Sequence, residues 1–146
     1  MNQTAVNSPD FLHILKTCRT IAVVGLSPKA HRDSYEVAEY MQAQGYRIVP
    51  INPVAAASNE PILGEKVYAT LLDAAKVEKI DLVGCFRNSA DIPPIATEAV
   101  DIKAQVLWMQ LGIDNETAKA EAQAAGLAVV ENRCLLIEHR RIKHLL

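Results

Sequence analysis

Residues Thr20 to Pro53 read TIAVVGLSPKAHRDSYEVAEYMQAQGYRIVPINP. The opening run, Thr20 to Val24, is continuously apolar after its threonine rather than alternating. Such a run predicts a strand buried on both faces. It stops at Gly25. Asp33 and Glu36, three residues apart, have the form of a capping box, so a helix is predicted from there through Met41. Gly45 is placed to end that helix. Tyr46 to Ile51 predicts a second strand, stopped by Asn52-Pro53. Strands joined through a helix in this way imply a parallel pair.

The same alternation continues outward. Upstream, Ser8-Pro9-Asp10 predicts the start of a short helix, with Ser8 as cap and Pro9 in the first turn. Met1 to Asn7 reads as a flexible start. Downstream, Val54 to Gly64 reads as a loop and Val67-Tyr68 as a short strand. Helices are predicted near Leu71 to Val77, over Pro93 to Val100 and after Asn115 as far as Gly126. Strands are predicted over Ile80 to Phe86, Val106 to Met109 and Leu127 to Val130. Cys134 to Leu146 is predicted to end the chain as a helix. The expectation is one domain over residues 1–146. Its fold class is α/β, a Rossmann-like, doubly wound, mainly parallel sheet of five to six strands with helices on both faces.

Composition narrows the function. At 146 residues the chain fits one domain, and 50% hydrophobic residues suffice for a two-sided core. A net charge of -2 argues against a nucleic-acid binder, which needs a basic face. Cys18, Cys85 and Cys134 are odd in number and widely spaced, so neither a disulfide framework nor a zinc motif is expected. No metal is expected elsewhere. The N-terminus lacks the pattern of a signal peptide, and no apolar run is long enough to cross a bilayer. A cytoplasmic location and no membrane partner are therefore expected.

In a doubly wound sheet the ligand sits beyond the carboxyl ends of the strands, where strand order reverses. That directs attention to the loop Gly25-Leu26-Ser27-Pro28-Lys29-Ala30-His31-Arg32, which enters a helix N-terminus suited to phosphate. Gly25 allows close backbone approach. Ser27 offers a hydroxyl, and Lys29 and Arg32 offer charge. The same loop also reads as an ordinary turn with solvated cations. It is not the dinucleotide fingerprint G-x-G-x-x-G, since Ser27 and Ala30 stand where the second and third glycines belong. The acid expected for an NAD ribose at the end of the second strand is replaced by Asn52. A neutral residue there tolerates a ribose phosphate, and Lys29, Arg32 and Arg47 are candidates to offset it. Coenzyme A therefore fits better than NAD.

The stretch from Ile21 to Pro53, together with DLVGCFRNSADIP, VLWMQLGI and GLAVVENRCLLIEHRR, resembles the stand-alone CoA-binding proteins. These share their fold with the CoA-binding domain of succinyl-CoA synthetase. The resemblance runs in order from about Phe11 onward. It implies coenzyme A or an acyl-CoA as ligand. It implies that Gly25, Leu26, Ser27 and Lys29 form the phosphate loop and that Arg32 and Ser34 stand before the first helix of the unit. It also implies that Asn52-Pro53 lies near the nucleotide and that Phe86-Arg87 lies where the adenine or pantetheine passes. Trp108, Gln110 and Gly112 match a W-x-Q-x-G turn. Asn132-Arg133-Cys134 matches the family's d-r-C, with Asn132 in place of the usual Asp. No reaction comes with the resemblance, so a binding or regulatory module with no catalytic residue is expected.

Two rival readings stay open. One is a small acyl-CoA-processing enzyme using Cys134 or a partner subunit. The other is an NAD(P)-binding redox sensor. Trp108 is expected in the core, and Gln110 and Gly112 serve equally as turn formers. The basic tail from His139 to His144 reads as a complement to a helix dipole. An apolar face on the terminal helices would suit a homodimer or another protein partner.

Overall fold

The structure is a computed structural model and describes residues 10–146. The expected flexible start and the Ser8 cap lie outside that range. Asp10 caps the first helix, α1 (Phe11–Thr17), its carboxylate accepting from the His13 N–H. There follow β1 (Thr20–Val24), α2 (Asp33–Ala43), β2 (Arg47–Ile51), α3 (Pro53–Ala57), α4 (Leu71–Ala75) and β3 (Leu82–Cys85). The chain continues through a 3-10 turn at Ser89–Asp91 into α5 (Ile92–Asp101), β4 (Val106–Met109), α6 (Glu116–Ala124), β5 (Ala128–Val130) and α7 (Leu135–Ile142). A second 3-10 turn spans Lys143–Leu145, so the helix predicted over Cys134 to Leu146 is shorter, with Cys134 as its cap.

All strand pairs are parallel, in the order β2-β1-β3-β4-β5. Val67-Tyr68, predicted as a strand, contributes one parallel bridge from Tyr68 to Ile51 outside β2. With this vestigial edge strand counted, chain order across the sheet becomes 3-2-1-4-5-6, the doubly wound arrangement. Strand order reverses between β1 and β3.

The continuous apolar character of β1 follows from its place. Ile21 and Val23 face one layer, with α1, α2 and α7. Ala22 and Val24 face the other, with α4, α5 and α6. Successive strand side chains point to opposite faces, so a strand covered on both sides must be apolar throughout. Trp108 is wholly buried in the first layer, and its indole N–H donates to the Arg133 carbonyl at 2.8 Å.

Two local predictions are corrected. Asp33 and Glu36 do not form a capping box: Arg32 is the N-cap, with no side-chain cap bond. Both acids lie in the first turn, where the helix dipole favours them. The predicted loop Val54 to Gly64 opens as α3, because Asn52 caps it and Pro53 takes the first helical position. The dipeptide that stops a strand thus also starts a helix.

Candidate functional site

The β1–α2 loop leaves the sheet at the reversal of strand order. Gly25 has φ +87°, and a Cβ built there would lie 2.5 Å from the Phe86 carbonyl oxygen. Only glycine lets the end of β1 lie this close to the segment leaving β3. Leu26 is wholly buried, so its side chain belongs to the core and only its backbone reaches the crevice.

The loop is held by its own polar groups. The Ser27 N–H donates to the Ser34 hydroxyl oxygen at 3.0 Å, and the Lys29 N–H donates to the Ser27 hydroxyl oxygen at 3.1 Å. Ser34 is buried, which makes it a former of the loop. The Asn52 side-chain amide donates to the Leu26 carbonyl at 2.9 Å. Its oxygen accepts from the N–H groups of Val54 and Ala55. Asn52 therefore ties the end of β2, the start of α3 and the β1–α2 loop into one unit. Lys29 and Arg32 remain exposed. The first two amides of α2, those of Asp33 and Ser34, donate to no group among the described residues.

Three adjoining recesses surround Gly25. One, about 360 Å³, brings together Gly25, Ser27, Lys29, Arg32, Asp33, Ser34 and Phe86. A second, about 380 Å³, joins Gly25 and Ser27 to Asn52, Pro53, Phe86 and Arg87. All the predicted site residues except Leu26 therefore line one crevice. The third, about 340 Å³, is the more apolar and runs beneath Pro53 between Ile51, Leu71 and Ile95, with Arg87, Asp91 and Glu98 at its polar side. Sequence reading missed Leu71, Asp91, Ile95 and Glu98 here. Leu71, Ile95 and Glu98 sit on α4 and α5, and no local pattern announces that the two helices meet there. Arg87 is half-exposed and pairs with Asp91 at 3.6 Å.

Arg47 does not belong to the site. It begins β2, at the opposite end of the sheet, and its guanidinium binds Glu78, with the Nε bond at 2.8 Å. This hydrogen-bonded carboxylate pushes the arginine pKa up, so the charge is fixed there. A larger cavity, about 480 Å³, also lies at that amino end, between Cys18, Gln105 and Gly126. It lacks the loop and helix terminus that mark the crevice.

The remaining motif residues lie outside these three recesses. Asn132, at φ +56°, accepts the Gly112 N–H on its side-chain oxygen at 2.7 Å, a role that needs no carboxylate. Gln110 is buried, and its oxygen accepts the Leu135 N–H at 3.2 Å, linking β4 to the start of α7. Cys134 is partly buried and lines none of the three recesses. Among the described residues, no three His, Cys, Asp or Glu side chains are grouped as metal ligands. None of the described helices is long and apolar enough to cross a membrane.

Known proteins share this architecture. The uncharacterized protein YneT of Bacillus subtilis is 36% identical over 126 residues, covering 86% of this chain and 89% of that one. A hypothetical protein from Pyrococcus horikoshii is 33% identical with a TM-score of 0.86, covering 98% of this chain and 99% of its own. The dinucleotide-forming acetyl-coenzyme A synthetase 1 of Ca. Korarchaeum cryptofilum, at 19% identity and a TM-score of 0.65, shares the fold alone. It aligns over 90% of this chain and 28% of its own length. The sequence signature described as CoA binding domain matches residues 19–140, and the chain belongs to that family.

Proposed function

We propose that the crevice binds coenzyme A or an acyl-CoA, and that the chain serves in the cytoplasm as a binding or regulatory module without chemistry of its own. The observation that carries this reading is the first recess. There the exposed Lys29 and Arg32 flank a helix N-terminus whose Asp33 and Ser34 amides are free. A diphosphate supplies the acceptors that those donors lack, and charged hydrogen bonds of this kind are the strong ones. Ser27, Ser34 and Asn52 shape the loop, and Gly25 brings its backbone against Phe86-Arg87.

The adenine suits the apolar recess beneath Pro53, where Asp91 or Glu98 can accept from its amino group. The pantetheine then leaves past Phe86 and Asn88. NAD is disfavoured because Asn52 stands where the acid that holds its free ribose hydroxyls belongs. Cys134 caps α7 away from these recesses, which supports a module over an acyl-CoA-processing enzyme.

Calorimetric titration tests the proposal. Coenzyme A is expected to bind saturably and more tightly than NAD. Lys29→Ala should weaken it by roughly three- to thirtyfold, the range for losing one charged hydrogen bond at an exposed site. No binding at millimolar coenzyme A would overturn the proposal.

A further inference from the structure

Dinucleotide-binding sheets read the adenosine ribose at the end of the second strand, with an acid for a free hydroxyl or an arginine for a ribose phosphate. In this chain that position holds Asn52, Pro53 and Val54. We infer that the crevice recognises the ADP portion of its ligand and does not select for the ribose 3′-phosphate that distinguishes coenzyme A from dephospho-coenzyme A. The inference rests on the coenzyme A reading above and deepens it.

The backbone donors at the end of β2 are already engaged. One N–H of the Asn52 side-chain amide donates to the Leu26 carbonyl. The Val54 and Ala55 amides, which would otherwise face an anion, both donate to the Asn52 oxygen. Pro53 has no N–H.

The cations are placed elsewhere. Lys29 and Arg32 line the α2 side of the crevice, where the diphosphate sits. Lys66 lies over the Tyr68 ring and lines none of the recesses. Arg87 is the one cation bordering the apolar recess, and it faces Asp91. Glu98 lines the same recess. A phosphate on the ribose therefore meets one guanidinium that already faces the Asp91 carboxylate, with Glu98 lining the adjoining recess. Attraction and repulsion nearly cancel at such a half-exposed site. Discrimination against NAD then comes from the missing acid at the end of β2 and from the other half of the ligand, not from the ribose phosphate.

The experiment compares coenzyme A with dephospho-coenzyme A by calorimetry at one fixed ionic strength. It is run on the parent protein and on Glu98→Lys. The parent is expected to bind the two within about threefold. Glu98→Lys removes a repulsion and adds a cation, and should create a preference for coenzyme A of about tenfold. A parent that prefers coenzyme A by tenfold or more overturns this inference while leaving the coenzyme A reading intact. A Glu98→Lys protein that binds both ligands equally overturns the placement of the ribose on which the inference stands. If neither ligand binds the parent, the coenzyme A reading itself fails, and this inference with it.

Discussion

Replacing Gly25 with alanine places one methyl group at the crossing of β1 with the segment that leaves β3. The Cβ would stand 2.5 Å from the Phe86 carbonyl oxygen and 3.0 Å from the Arg87 Cδ. The first is a backbone atom, so no side-chain rotation relieves the overlap. Two costs combine. Holding a non-glycine residue at φ +87° costs roughly 1–2 kcal/mol. Forcing packed backbone apart costs about 1–3 kcal/mol more. The sum, on the order of 2–5 kcal/mol, corresponds to a fall in Tm of roughly 4–20 °C for a chain of this size. Gly64→Ala is the control, since Gly64 has φ +75° but open space around its Cβ position, and it should show only the smaller, conformational cost. Thermal unfolding followed by circular dichroism measures both variants. Because the Gly25 strain falls on Phe86-Arg87, coenzyme A binding by any folded Gly25→Ala protein should also fall, by about tenfold or more. A Gly25→Ala protein that matches Gly64→Ala in Tm and keeps its coenzyme A affinity would refute the reasoning.

Two further outcomes are expected. His139 is buried between Tyr40 and Tyr46, with Nδ1 2.7 Å from the Tyr40 hydroxyl. Burial, and then Lys143 and Arg19, hold its pKa below the usual 6.5. The unfolded chain therefore takes up the proton first. The stability contributed by neutral His139 is present above pH 6.5 and lost as pH falls below that value. Urea midpoints measured between about pH 5 and pH 8 should show this decline, and His139→Gln should flatten it; superimposable profiles would count against the assignment. Among the thiols, burial pushes Cys85 up to about 12 and raises Cys18 as well, whereas Cys134 is only partly buried. Alkylation of the native protein, read by mass spectrometry, should modify Cys134 well before the other two. Equal labelling of Cys85 would contradict the packing described.

Much of this was legible in the chain itself. The unbroken apolar run of β1 announced a strand covered on both faces, because burial on two sides removes the reason for polar alternation. The turn at Gly25, the cations that follow it and the helix beyond are neighbours in sequence, so the loop between β1 and α2 could be read locally. Tertiary structure decided what depends on distance across the sheet. It sent Arg47 to the far end, although Arg47 and Asn52 lie only five residues apart in sequence, because they stand at opposite ends of one extended strand. It brought α4 and α5 together to form the apolar recess, with Asp91 paired to Arg87 and Glu98 lining the same recess. It also made Asn52 a clamp whose oxygen and one amide N–H are engaged. Local pattern records which groups the chain carries; only packing determines which of them still have a hydrogen bond or a charge to offer.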